Sequence, residues 1–148
     1  MDAESLNVLL QFYSSNTANE ANLWMMYVAA TIACAGYGVT SNTLTSIKMA
    51  VAASIGFLAF AYGQYTMVNE AIFLRELLVI NLAPAKSSPI GPFITELSVR
   101  GLTIQGAIKT HAVVDACVVF LIMYRPVAEL LKVYLERRKV MPTSLIDK

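Results

Sequence analysis

The sequence predicts an all-α integral membrane protein with three transmembrane helices and one amphipathic helix outside the membrane. Only 14% of the 148 residues are charged, against about 25% in an ordinary soluble domain. Two long runs, residues 21–47 and 49–69, carry no charge at all. Each run exceeds the roughly 20 residues that a helix needs to cross a bilayer. A chain of this length fits one membrane domain, residues 1–148.

The first transmembrane helix, TM1, is expected at about residues 22–40. Trp24 and Tyr27 stand at its start, where amphipathic rings favour the headgroup level. Before it, the apolar residues from Leu6 to Tyr13 recur at helical spacing, which fits either a short interfacial helix or a frayed terminus. Residues 1–20 contain no Lys or Arg, so no cleavable signal peptide is expected.

The second transmembrane helix, TM2, is expected at about residues 48–68, close enough to TM1 to form a hairpin with it. A further helix is predicted at about 70–83, as an extension of TM2 or as a separate interfacial helix. Its charged patch consists of Glu70, Arg75 and Glu76, interpreted as surface pairs at the membrane edge. The cluster of Pro, Ser and Gly at 84–93 predicts a loop.

The third transmembrane helix, TM3, is expected at about residues 102–125 and is unusually polar. The stretch ends at Arg125-Pro126, and a solvated cytoplasmic helix is predicted at 127–139. A four-span variant, in which residues 71–94 re-enter the membrane, is the alternative topology.

The distribution of basic residues predicts the orientation of the chain. Lys and Arg are frequent after TM3 and absent from the N-terminal tail, and they concentrate on the cytoplasmic side of membrane proteins. This places the N-terminus outside and the C-terminus in the cytoplasm, in the plasma (inner) membrane. Three spans with this orientation and a basic tail resemble, in topology and size, the general plan of one class of phage holins. The long outer segment, residues 70–108, departs from that plan.

Small residues form a stripe along one face of each of the first two spans. The members recur at steps of four, three and four: Ala29, Ala33, Gly36 and Thr40 in TM1, and Ala52, Gly56, Ala59 and Gly63 in TM2. Small residues let helix backbones approach closely in a bilayer. The favoured interpretation is that the stripes pack TM1 and TM2 against each other. The alternative is that one stripe faces a second copy or a partner.

Four polar residues, Gln105, Lys109, His111 and Asp115, lie in the first half of TM3. An ionisable group in a span usually faces protein or water. His111 and Asp115 are four residues apart and can interact. Three interpretations stay open: the pair ends the span at the outer interface, ties TM3 to the bundle or to another subunit, or lines a proton or ion path.

No motif in the sequence indicates an enzyme, a cofactor or a metal site. One histidine cannot form a metal-binding cluster, and Cys34 and Cys117 lie in apolar runs where cysteine acts as a small hydrophobe. A net charge of +1 gives no reason to expect nucleic acid as a partner.

The expected partners are therefore the lipid bilayer and either further copies of the chain or other membrane subunits. The favoured function is a non-catalytic subunit that oligomerises or docks to a partner. One alternative is a homo-oligomeric pore or permeabilising protein of holin or effector type, lined by the polar face of TM3. The other is a proton- or ion-coupled transport component.

Overall fold

The computed structural model describes residues 2–40, 46–87, 91–99 and 103–140, and these are almost entirely helical. The elements are α1 (Ala3–Thr40), α2 (Ile47–Leu82), a 3-10 helix (Ala83–Ser87), α3 (Gly91–Val99) and α4 (Ile104–Val140). The helices α1, α2 and α4 are long and apolar enough to cross a membrane. At 1.5 Å per residue, the nine residues of α3 are too few to do so.

Helix α1 is much longer than the predicted span because it includes the N-terminal segment. The helix begins after Asp2, whose Oδ1 accepts a hydrogen bond from the Ser5 backbone N–H at 2.7 Å. The polar residues 14–17, which lie between the apolar segment Leu6 to Tyr13 and TM1, do not interrupt it. Thr17 Oγ1 donates to the Tyr13 carbonyl, and Asn16 Nδ2 donates to the Ala71 carbonyl of α2. Their side chains are thus bonded without breaking the helix.

Two predicted boundaries between TM2 and TM3 also change. Residues 70–82 continue α2, so the helix predicted at 70–83 is an extension of TM2. The loop predicted at 84–93 is shorter than expected, because residues 84–87 belong to the 3-10 helix and α3 begins at Gly91. Residues 88–90 of that loop lie outside the described residues, as do residues 41–45 between TM1 and TM2.

The N-terminal end of α1 is packed against protein. Leu82, Ala85 and Ile94 are buried together, and three leucines of α1 pack against them: Leu6, Leu9 and Leu10. The N-terminal segment is therefore neither a separate interfacial helix nor a frayed end.

Helix α4 runs through Pro126, where the sequence predicted a boundary between TM3 and a separate helix. A proline inside a helix removes one backbone hydrogen bond and can bend the helix without ending it. The first predicted residue of TM3, at position 102, lies outside the described residues. Gly38, near the end of α1, packs against Ile122, and residues 127–138 beyond this level are exposed throughout. The last part of α4 therefore extends alone past the bundle.

The three long helices pack pairwise into one bundle. The buried positions of α2 recur at steps of four and three: Ala50, Ser54, Phe57, Ala61, Gln64, Val68, Ala71 and Arg75. A 3.5-residue repeat is the signature of left-handed, coiled-coil-like packing. On α1 the same steps connect residues that are at least half-buried: Glu20, Trp24, Tyr27, Thr31, Cys34 and Gly38. We call these two sets the buried seams.

The small-residue stripes do not lie on the buried seams. Each stripe stands two positions further along its helix, as Ala29 follows Tyr27 and Ala52 follows Ala50. Two residues turn a helix by about 200°, so each stripe faces away from the bundle. All eight stripe residues are exposed except Gly63, which is half-buried. The predicted packing of the two stripes against each other is therefore wrong, because other residues fill the contact between α1 and α2.

A buried polar site in the bundle interior

An ion pair joins α1 and α2 inside the bundle. Arg75 Nη1 lies 2.7 Å from Glu20 Oε1 and 2.5 Å from Glu20 Oε2, and both side chains are buried. The patch predicted from Glu70, Arg75 and Glu76 is thus divided, because Glu70 and Glu76 are exposed while Arg75 points inward. The interpretation as surface pairs is wrong for Arg75, whose partner comes from the other helix.

A second polar cluster joins α1 and α4. Tyr27 Oη donates a 2.7 Å hydrogen bond to Asp115 Oδ1. His111 Nδ1 lies 3.9 Å from Asp115 Oδ2, which is within ion-pair distance but too long for a hydrogen bond. Of the three interpretations of Asp115, this contact corresponds to the one in which it ties TM3 to the rest of the bundle.

Aromatic side chains surround the His111 ring. The Tyr27 ring is stacked at a tilt on it, with centroids 4.0 Å apart, and the Trp24 and Tyr65 centroids lie 5.2 and 5.7 Å away. Trp24 and Tyr27 were expected to anchor TM1 at the membrane surface. Tyr27 is instead fully buried, and Trp24 packs on the interior, because both residues belong to the buried seam of α1.

Neither ring nitrogen of His111 has a hydrogen-bond partner within the described residues, although the side chain is 4% exposed. Buried polar groups normally have partners, since an unmet one costs about 1–3 kcal/mol. His111 therefore has a donor and an acceptor that no side chain of the described residues satisfies.

The four polar residues predicted in TM3 do not share one face. His111 is buried, and Asp115 is half-buried beside it, whereas Gln105 and Lys109 are exposed. Lys109 precedes His111 by two positions, so the helical turn directs it to nearly the opposite side. The cluster contains one ionisable pair, and no metal-binding group of three or more ligands occurs among the described residues.

Three members of these clusters were missed by sequence reasoning: Glu20, Tyr27 and Tyr65. Tyr27 was expected at the headgroup level, and nothing in the local sequence distinguishes Glu20 or Tyr65 as a buried residue. The available signal was the seven-residue repeat, which places Glu20 and Tyr27 on one face of α1. That signal is visible only once the helix is known to start before residue 20.

Comparison with family models, with curated proteins and with solved structures finds no match for this chain. Its function is therefore inferred from the packing and chemistry of its own residues.

Proposed function

We propose that the protein is a non-catalytic membrane subunit that assembles with further copies of itself through the α1 and α2 stripes. In this proposal it spans the plasma membrane three times, with the N-terminus outside and the basic C-terminal part of α4 in the cytoplasm. The observation that carries the proposal is the outward direction of both stripes.

The glycines of the stripes have room for an approaching helix. A Cβ atom built on Gly36, Gly56 or Gly63 would meet nothing within 4 Å. At Gly38, which faces inward, the same atom would lie 3.1 Å from the Ile122 Cα atom. Since helices in lipid associate through close backbone approach, the outward glycines are suited to a contact that the isolated chain does not make.

The two stripes also lie at the same level of the bundle. Ala29 stands two residues after Tyr27, which contacts Asp115, and Gly63 stands two residues before Tyr65, which contacts His111. Thr40 and Ala52 lie close to the ends of α1 and α2 that follow each other in the sequence. The α1 stripe of one copy can therefore meet the α2 stripe of the next. A head-to-tail contact of this kind produces a closed ring when the rotation between copies allows it.

The exposed last part of α4, residues 127–138, supports the same proposal. Its exposed apolar residues recur at helical spacing along one face: Val127, Leu130, Leu131, Tyr134 and Leu135. A helix with such a face is stabilised by covering it. Parallel copies held together through α1 and α2 would bring these faces within reach of one another.

The test is self-association in liposomes, measured by single-molecule photobleaching over a range of protein-to-lipid ratios. Gly36→Leu and Gly56→Leu are expected to weaken association at least tenfold, because a large side chain separates the helices. The matched control is Ala116→Leu, which adds similar bulk at an exposed position of α4 outside both stripes. The control is expected to associate like the original chain.

The arrangement of the copies can be tested by cross-linking. In a chain with Cys34→Ser and Cys117→Ser, the substitutions Ala33→Cys and Ala59→Cys are introduced on separate copies. Oxidation is expected to link the two kinds of copy to each other. A chain that stays monomeric at every lipid ratio, or that associates equally well with leucine at both glycines, contradicts the proposal.

A second candidate function is a proton- or ion-coupled transport component, and the unpaired His111 beside Asp115 favours it. Histidine can exchange a proton near neutral pH. The expected result is a pH-dependent flux across liposomes that Asp115→Asn abolishes. The pore lined by one polar face of TM3 is less suited to the geometry, because Gln105 and Lys109 point away from His111.

A further inference from the structure

A cavity of about 380 Å³ lies between α2 and α4, against the Tyr27–Asp115–His111 cluster. Its lining residues are Leu58, Ala61, Tyr62, Tyr65, Ile108, His111 and Asp115. Cavities that bind small molecules typically measure about 300–1,000 Å³ and combine apolar walls with a few polar groups. This cavity has both properties.

The cavity has a buried floor and an open mouth. Ala61 and His111 are buried at the floor, while Leu58 and Ile108 at the mouth are about half exposed and Tyr62 is 71% exposed. The mouth therefore opens on the outer surface of the bundle between α2 and α4. With the three helices in a bilayer, that surface faces acyl chains, so a ligand that enters must be largely apolar.

The Asp115 carboxylate in this cavity has no Lys or Arg as a salt-bridge partner among the described residues. Asp115 Oδ1 accepts the Tyr27 hydrogen bond, whereas Asp115 Oδ2 lies 3.9 Å from the His111 nitrogen and has no closer ion-pair partner among the described residues. His111 contributes two buried nitrogens without hydrogen-bond partners in the described part of the chain. A carboxylate in apolar surroundings is stabilised by a cation close to it.

The aromatic rings of the cavity favour the same kind of ligand. Tyr62 and Tyr65 both line it, and the Tyr65 ring meets the His111 ring edge-on at 72°. Faces of aromatic rings attract ammonium groups, and this attraction increases when water is excluded. A neutral ligand that only accepts hydrogen bonds, such as a quinone, would place a carbonyl oxygen near the Asp115 carboxylate.

We propose that this cavity binds a lipophilic organic cation, an alkylated amine or a quaternary ammonium group with an apolar tail. The cationic group would lie between the Tyr62 and Tyr65 rings and close to Asp115, with the tail passing Leu58 and Ile108 toward the lipid. The proposal is independent of oligomer formation, because all the lining residues belong to one copy.

The test uses the full chain in nanodiscs, titrated with hexyltrimethylammonium. Trp24 is the only tryptophan of the chain, and its ring lies 5.2 Å from the His111 ring, so its fluorescence reports on the site. A saturable change in fluorescence is expected. The matched neutral probe is 2,2-dimethyloctane, which has the same shape with carbon in place of nitrogen and is expected to give no saturable change.

Variants identify the groups responsible. Asp115→Asn keeps an oxygen that can accept the Tyr27 hydrogen bond but removes the charge, and it is expected to weaken binding at least tenfold. Tyr62→Leu is expected to weaken binding about two- to fivefold, as a cation–π contact at a partly exposed site predicts. Glu129→Gln, which removes a carboxylate from the exposed end of α4, is expected to bind like the original chain.

Several results would overturn the proposal. One is equal binding of the cation to the original chain and to Asp115→Asn. Another is a fluorescence change that rises linearly without saturation, which reports partition into lipid only. Equally tight binding of the neutral probe, or of a short-chain quinone, would assign the cavity to neutral ligands. If Asp115→Asn does not fold, an unchanged affinity in Tyr62→Leu overturns the proposal, since Tyr62 is largely exposed and dispensable for folding.

Discussion

The interior of the bundle contains two polar clusters that differ in how completely their groups are paired. In the Glu20–Arg75 pair, one guanidinium nitrogen contacts both carboxylate oxygens within 2.7 Å, and both side chains are buried. In the Tyr27–Asp115–His111 cluster, one hydrogen bond is made, and both His111 nitrogens are left without partners in the described structure. In the first cluster the two charged groups are in direct contact with each other, whereas the second cluster borders a cavity.

This difference indicates different roles. A buried charge pair with good geometry ties two helices together and has little capacity left for a ligand. A carboxylate that borders a cavity, with no Lys or Arg in contact with it among the described residues, can instead bind a cation. We therefore assign the first cluster to the architecture of the bundle and the second to binding. Substitutions that remove one group at a time can separate these roles.

The largest effect is expected from breaking the ion pair. Glu20→Leu leaves Arg75 buried without its carboxylate, which should lower the free energy of unfolding by about 3–5 kcal/mol. Arg75→Leu should have a similar effect, and the double substitution should cost less than the sum of the two. Denaturant titration in mixed micelles measures these values. Glu76→Gln, at the exposed neighbour of Arg75, is the control, and a loss equal to that control would contradict the assignment.

A smaller effect is expected from Tyr27→Phe. The substitution keeps the ring that stacks on His111 but removes the hydrogen bond to Asp115, so stability should fall by about 1–3 kcal/mol. The same titration measures it, with Tyr62→Phe as a control at an exposed tyrosine. No change in Tyr27→Phe would mean that the contact does not link α1 to α4.

The smallest effect is expected from His111→Phe, although His111 is buried. Phenylalanine preserves the ring contacts with Trp24, Tyr27 and Tyr65 and removes two unpaired nitrogens. Stability should therefore change by less than about 1 kcal/mol, or increase. A loss as large as that of Glu20→Leu would show that His111 has partners in the folded chain and would remove the contrast between the clusters.

The sequence was sufficient to predict the helical class because uncharged runs of this length are typical of helices that cross a membrane. Three helices in the structure are long and apolar enough to span a membrane. The sequence also revealed the 3.5-residue repeat, in the small-residue stripes. It did not reveal whether the small-residue stripe or the buried seam of each helix faces the interior. The buried seam of α2 also contains alanines, and it has the same repeat as the stripe with an offset of two residues.

Boundaries were the weakest part of the prediction. Residues 14–17 and Pro126 are local helix breakers by composition, yet the helices continue through both. Side-chain hydrogen bonds to carbonyls account for the first case, as in Thr17 and Asn16. The pairing of Glu20 with Arg75 and of Tyr27 with Asp115 could not be predicted either, because both pairs depend on the relative register of long helices.

We expect a cationic ligand to bind beside the Asp115 carboxylate in the cavity that borders the Tyr27–Asp115–His111 cluster, whereas the Glu20–Arg75 pair already has its charges in contact. The most direct measurement is the thermal unfolding midpoint of the full chain in nanodiscs, with and without hexyltrimethylammonium at about 100 times its dissociation constant. Ligand binding at that ratio stabilises the folded state by about 2.7 kcal/mol. The predicted result is a raised midpoint in the original chain and in Glu76→Gln, and a rise no more than about half as large in Asp115→Asn, because tenfold weaker binding leaves about 1.4 kcal/mol of stabilisation at the same ligand concentration. An unchanged midpoint in the original chain, or an equal rise in Asp115→Asn, would contradict it.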